Sequence, residues 1–263
     1  KATDTAEIID GKLMAFWQFL EGIARMPAFR DTELSYMAKS ILLDKESAVN
    51  KQIEDLNIAD RNGILYLSDG SSQDITHLAW YANSNGGQKY FAEPFMSPVL
   101  HKLVLAVIVP VIDDNKNHIA SLVALLDGSW LTDNIDDIVV GKTGYCYILG
   151  DTGTTIAAKD FTRVQKMENV GQLAKTDASL RSLAKFEQMV LDVDNSSIDY
   201  YEYKGIKKIA SYATMKTTDW SVIVSAPINE FMGTVNALQT SILIIGALIL
   251  LTAVVVVFLV AQA

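Results

Sequence analysis

Cysteine is all but absent: Cys146 is the only one in 263 residues. A single thiol closes no intrachain disulfide. The three histidines, His77, His101 and His118, stand at no metal-binding spacing, so neither a metal nor another cofactor is expected. Cys146 lies in the alternating run Gly144-Tyr145-Cys146-Tyr147-Ile148 and reads as a small buried hydrophobe. Basic charge is also short: 22 Lys and Arg against 31 Asp and Glu leave a net charge of -9. That excludes the clustered cationic footprint of a nucleic-acid-binding protein. It also argues against flat docking on anionic lipid. There is no G-x-S-x-G and no His–carboxylate pair at a familiar spacing, so an extracytoplasmic hydrolase has no support and no enzyme activity is expected.

Apolar residues are plentiful, at 50% of the chain. They concentrate at the end, where residues 241–261 read SILIIGALILLTAVVVVFLVA without one charge. About 20 apolar residues cross a bilayer as a helix, and a soluble core helix of that length carries a polar stripe that is missing here. A transmembrane helix is therefore expected over 238–261, making the membrane a partner. The start at Lys1, without methionine or signal peptide, suggests a further membrane helix upstream.

The remainder alternates between helical and strand texture. Ile9, Leu13, Phe16, Leu20 and Ile23 recur at spacings of four and three, the mark of an amphipathic helix that Pro27 ends. Asp31 can cap a second helix over about 32–53. Asn62-Gly63 marks a hairpin between 58 and 66. Residues 69–99 are rich in Gly, Ser and Asn, yet hold Trp80, Tyr81, Tyr90, Phe91 and Phe95. Such aromatics either anchor a loop on a sheet or line a pocket. Strands are expected over 103–112 and 119–126, then a short helix over 130–138. A second cycle follows, with strands over 145–149, 154–158, 197–203, 207–214 and 220–226 and a helix-favouring connection over 160–190. Tyr200, Tyr201 and Tyr203 read as packing residues, and Lys207-Lys208 as an exposed turn. Pro227 to Glu230 restarts a helix toward the membrane. The fold class is α+β: a long N-terminal helix, two stacked modules with antiparallel sheets, and a C-terminal transmembrane helix. The boundaries are 1–56 for the helical stalk, 57–138 for the distal module, 139–230 for the proximal module and 238–261 for the membrane helix.

This order resembles the double Cache family of bacterial and archaeal sensors, whose modules are PAS-like. The resemblance is carried by Asp74 to Tyr81, Glu93-Pro94-Phe95, Val109 to Asp113 with Ala120 to Leu126, and, in the second module, Gly141 to Tyr145, Asp151-Thr152-Gly153 and Thr217 to Val222. It implies an extracytoplasmic sensor in the inner or plasma membrane, a distal ligand site and signalling through the second membrane helix. The usual setting is a methyl-accepting chemotaxis protein, with histidine kinases and cyclic-dinucleotide enzymes as alternatives. In amino-acid-binding relatives an Arg two residues before the Trp holds the ligand carboxylate, and here that position is Leu78. The aromatic positions match Trp80, Tyr81 and Phe95, the acid closing the return strand matches Asp127, and a further acidic position is Ser97.

Leu78 cannot meet a carboxylate, which in a pocket normally takes the fork of an Arg. Asp127 with Trp80, Tyr81, Tyr90, Phe91 and Phe95 suits a cation, since aromatic faces add roughly 0.5–2 kcal/mol. His101 stands near the same strand. The expected ligand is a small amine, with a purine or an amino acid as alternatives. Other readings stay open. Trp80 and Tyr81 can simply anchor a loop, Asp127 can cap the helix after Gly128-Ser129, and the whole can be an interaction module without a ligand. A homodimer through the exposed side of helix 9–24 is also expected.

Overall fold

The computed structural model describes residues 1–84, 88–193, 195–231, 241–246, 249, 250 and 252. The first helix, α1 (Ala2–Ala24), buries Ile9, Leu13, Phe16, Leu20 and Ile23, the apolar series visible in the sequence. Pro27 opens the short α2 (Pro27–Arg30), where its missing N–H breaks no bond. The following helix, α3 (Tyr36–Ser47), departs from expectation at both ends. Ser35 is its cap, accepting the Ala38 amide at 3.2 Å, whereas Asp31 accepts the Glu33 amide at 2.8 Å in the preceding turn. The helix stops at Ser47 because Ile53 already enters a sheet.

The first module, the one expected to be distal, contains β1 (Ile53–Asp60), β2 (Ile64–Tyr66), β3 (Ser72–Asp74), α4 (Ala79–Ser84), β4 (Tyr90–Phe91), β5 (Phe95–Met96), β6 (Leu103–Ile112), β7 (His118–Asp127) and α5 (Trp130–Asp133). The strand order is β3-β2-β1-β7-β6-β4, with β5 also on β6, and every pairing is antiparallel. Gly63 takes φ 81° at the β1–β2 turn, while Asp60 Oδ1 accepts the amides of Asn62 and Ile64, both at 2.9 Å. β6 and β7 are nearly unbroken apolar runs because both their faces are covered. The helix at Trp130 is shorter than expected: Asn134 Nδ2 donates to the Trp130 carbonyl at 2.6 Å and closes it.

The second module, the one expected to be proximal, contains β8 (Tyr145–Leu149), β9 (Thr155–Ala158), α6 (Thr162–Gln165), α7 (Val170–Leu173), α8 (Arg181–Asp192), β10 (Ser197–Tyr203), β11 (Ile206–Thr214) and β12 (Ser221–Pro227). Its antiparallel order is β10-β11-β12-β8-β9. One face is filled by Leu183, Phe186 and Val190 of α8 packing on Tyr147, Tyr201 and Tyr212. Lys208 is buried rather than exposed, and its ammonium donates to the Tyr145 hydroxyl at 3.1 Å. Cys146 is buried as expected, and burial pushes its thiol up to about 12.

α1 ties the modules together. It touches β6 of one sheet and β11 and β12 of the other, and one continuous apolar core runs along it through both. The expected membrane helix over 238–261 lies mostly outside the described residues, and residues 241–246, 249, 250 and 252 are helical. Among the described residues no helix is long and apolar enough to cross a membrane.

Candidate functional site

Residues opposite each other in an antiparallel sheet share a face. Leu56 and Ile58 of β1, Leu122, Ala124 and Leu126 of β7, and Leu105, Val107 and Val109 of β6 belong to the core around α1. The alternate residues look the other way: Asn57 and Ala59 of β1, Val123 and Leu125 of β7, Val104, Ala106 and Ile108 of β6. The connection from Ile75 to Leu100 lies across this second face. Its described residues form one six-residue helix and two two-residue strands, short elements with few backbone hydrogen bonds of their own.

The cover brings several of the expected residues together. Trp80 and Tyr81, both on α4, are buried and meet edge-on at 6.3 Å. Trp80 also packs against Phe95 at 5.5 Å. Phe95 is the partner of Val104, and Val104 of Asp127, so these three form a row across the face. Leu78 and Tyr90 pack on the same cluster.

Three expected residues stand elsewhere. Phe91 follows Tyr90 in a strand and so faces the opposite way, where its ring lies 4.7 Å from that of Trp17. Ser97 is buried, and its Oγ accepts the amides of Val99 and Leu100 at 3.3 and 3.1 Å, fixing the turn into β6. His101 is exposed in that turn with φ 52°.

Asp127 is half-exposed and already engaged. Its Oδ1 accepts the Ser129 amide at 2.9 Å, and its Oδ2 lies 3.7 Å from Lys102 Nζ. Lys102 is closer to Glu54, at 2.6 Å. Partial burial acts to raise the Asp127 carboxyl, but Ser129 and Lys102 outweigh it and hold the group below the usual carboxylate range. The residue at the N-terminus of α5 is Ser129, so Asp127 closes a turn rather than capping that helix.

Two residues of this face were missed in the sequence. Asn57 is 1% exposed, and its Nδ2 donates to Asp55 Oδ2 at 2.7 Å. Burial is the main cause that pushes the Asp55 carboxyl upward. Asp55 pairs with Leu125, two residues from Asp127 along β7, and the register of β1 shifts between Asp55 and Ile53. Asn57 Oδ1 and Trp80 Nε1 are both shut off from solvent without a hydrogen-bond partner among the described residues. The signal was available: Asp55 and Asn57 alternate with Leu56 and Ile58, which puts polar groups on one face of a central strand.

Two antiparallel α/β modules strung on one long helix, the first with polar side chains under an aromatic cover, define a tandem-module fold of the sensor type. The chain belongs to the Cache domain family, which it matches over residues 1–235. The ligand-binding domain of the Pseudomonas aeruginosa PAO1 amino acid chemoreceptor PctB, in complex with L-Arg, has a TM-score of 0.66 at 18% identity, covering 88% of this chain and 94% of that one. The ligand-binding domain of the Pseudomonas fluorescens chemoreceptor CtaA, in complex with L-serine, has a TM-score of 0.66 at 14% identity, with 87% and 94% covered. An extracellular domain described as that of a histidine kinase, rpHK1S-Z16, has a TM-score of 0.67 at 14% identity, with 88% and 93% covered. No curated protein matches the chain.

Proposed function

We propose that this chain is the extracytoplasmic sensing region of a bacterial membrane receptor of the chemoreceptor type, and that it binds a small amine on the covered face of the distal sheet. The observation that carries this reading is Asn57 Oδ1, a buried acceptor without a donor among the described residues, beside the Asp55 carboxylate. An ammonium brings three donors to such a place. Asp127 adds a second negative charge on the same face, and Trp80 and Phe95 supply aromatic walls worth roughly 0.5–2 kcal/mol. The short elements of the cover open to admit the ligand. α1 and the chain beyond β12 carry the change toward the membrane, and the exposed Ile8, Met14 and Phe19 of α1 face a second copy of the chain.

A second reading, an amino acid, draws on a different atom. Trp80 Nε1 is a buried donor without an acceptor among the described residues, and a carboxylate would meet it. PctB and CtaA carry L-Arg and L-serine in their complexes. Against it, Leu78 offers no donor, and Lys102 is shared between Glu54 and Asp127.

A thermal-shift screen of the chain against small amines and the amino acids separates the two readings. Stabilisation by amines that disappears in Asp127→Ala supports the first. Stabilisation that survives this substitution unchanged removes Asp127 from the site, and hits confined to zwitterions move the reading to the second.

A further inference from the structure

The two modules meet at another concave feature, distinct from the covered face of the distal sheet. A cleft of about 230 Å³ lies between α1, β4 and the turns of the proximal module. Trp17, Phe91 and Trp220 form its aromatic walls, and the exposed Asp151 and Asp219 stand beside them. The cleft also holds a cation, Lys89, but its charge is already matched. Its ammonium lies 2.9 Å from Glu21 and 4.9 Å from the Trp17 ring centroid. Neither Asp151 nor Asp219 has a matching cation in the lining, and Asp151 shares a hydrogen bond with the Glu93 carboxyl.

Two lining residues carry atoms that need a partner. Trp17 Nε1 and Thr218 Oγ1 are shut off from solvent and have no hydrogen-bond partner among the described residues. Leaving an enclosed donor unpaired is unfavourable, so the place favours an occupant with oxygen as well as positive charge. The cleft draws on both modules: Phe91 comes from the distal one, Asp151, Thr218, Asp219 and Trp220 from the proximal one, and Trp17 from the helix that joins them. Glu93 of the distal module reaches the same seam, accepting from Thr152 Oγ1 at 3.3 Å.

We propose that this cleft is a second binding site, for a small hydroxylated amine whose ammonium sits between Asp151 and Asp219 and whose oxygen accepts from Trp17 Nε1–H once the side chains that cover that atom turn aside. The Thr218 hydroxyl completes the set, as donor or acceptor to the same ligand hydroxyl. Aromatic faces favour the ammonium over bulk water. An occupant here touches both modules at once, so it stabilises one relative arrangement of the two.

The test uses ethanolamine as probe, titrated into the full chain in detergent micelles while the Trp17 indole N–H resonance is followed, with Trp17→Phe providing its assignment. A saturable shift is expected in the wild type. In Asp219→Asn the apparent affinity falls by about tenfold or more, the loss of one charge-assisted contact. Asn suits this position because residue 219 has φ 61°, which Asn tolerates. The shift persists in Asp127→Ala, which separates this site from the distal one. Propylammonium, of similar size without the hydroxyl, binds more weakly. No saturable shift up to about 10 mM overturns the proposal, since weaker binding than that carries no specific site. So does a shift unchanged in Asp219→Asn, or one abolished by Asp127→Ala. Should Asp219→Asn lose its fold, Thr218→Val decides the matter: weakened binding supports the site, and unchanged binding overturns it.

Discussion

The carboxylate of Asp10, on α1, accepts the backbone N–H of Lys216 at 2.9 Å. Its other oxygen accepts the N–H of Thr217 at 3.0 Å, so one side chain pins the helix to the β11–β12 turn. Asp10 is 7% exposed, so its carboxylate is largely withdrawn from solvent. Charge-assisted hydrogen bonds are about twice as strong as neutral ones. Asp10→Ala is therefore expected to destabilise the folded chain by about 2–3 kcal/mol. Asp10→Asn, which keeps one acceptor oxygen, should cost about half as much. Urea denaturation midpoints at constant m-value measure both. A loss below about 0.5 kcal/mol for Asp10→Ala, the range of ordinary surface changes, would mean that the pin contributes nothing.

Trp80 and Asp127 should respond in opposite ways to substitution. Trp80 is buried against Tyr81 and Phe95, so Trp80→Ala removes a large packed ring and costs about 3–5 kcal/mol. Asp127 makes a long, half-exposed ion pair, and losing such a pair changes stability by about 1 kcal/mol or less. Asp127→Asn is thus expected to melt close to the wild type while losing the thermal shift produced by amines. A variant that melts normally and still responds to amines would remove Asp127 from the ligand's surroundings.

Much of this architecture was legible because its periodicities were strong. The α1 series Ile9, Leu13, Phe16, Leu20 and Ile23 fixed one helix face, and β6 over 103–112 could be read residue for residue because a doubly covered strand is apolar throughout. The second helix was misjudged at both ends, since Asp31 and Ser35 are equally good caps and only packing chooses between them. Phe91 illustrates the limit at the candidate site. It adjoins Tyr90, but a two-residue strand sends neighbouring side chains to opposite faces, and nothing local says which face is which. Lys208 was misread because a lysine stem can bury itself when a tyrosine hydroxyl meets its head. Asp55 and Asn57 were overlooked because a polar residue in a strand is ordinarily turned to solvent, and here the cover from 75 to 100 takes that side.

Stability should fall as pH rises through the range from about 4.5 to about 7. Glu187 is 3% exposed in the core beneath α8. Burial pushes its carboxyl up to about 7 from an ordinary 4.5, although Arg163 acts in the opposite direction and Glu168 adds to the rise. The charged and titratable groups facing it are Arg163, Glu168, Tyr147 and Tyr201. Between those two pH values the folded chain binds more protons than the unfolded one, so ionisation opposes folding as pH increases. Glu93, raised mainly by burial and further by Asp151, contributes with the same sign. Comparing wild type with Glu187→Gln isolates one group. The variant should gain roughly 3 kcal/mol relative to wild type at pH 8 and almost nothing at pH 4. Urea melts across this pH range test it, and parallel curves for the two proteins would show that Glu187 ionises normally.

The junction between the modules tolerates no side chain at Gly144. Its amide donates to the Val140 carbonyl at 3.0 Å. A Cβ there would run into the Val140 oxygen, and would lie 2.6 Å from Ala226 Cβ and 2.8 Å from the Ser225 oxygen. Two of these three obstacles are backbone atoms and cannot swing aside. The turn must instead lift away from β12, and that strains a second contact: Glu230 accepts the amides of Lys142 and Thr143 at 2.5 and 3.1 Å. Gly144→Ala is expected to cost about 2–4 kcal/mol, the range of a forced overpacking with backbone shift. Gly205 provides the comparison, because it has φ 74° but nothing within 4 Å of an added Cβ. Gly205→Ala should cost only the left-handed backbone penalty of about 1–2 kcal/mol. Hydrogen exchange at Lys142 and Thr143 should quicken in Gly144→Ala and stay unchanged in Gly205→Ala. Equal destabilisation by the two substitutions, with exchange at 142 and 143 unaltered in both, would show that the junction yields to a methyl group and that Glu230 grips it only loosely.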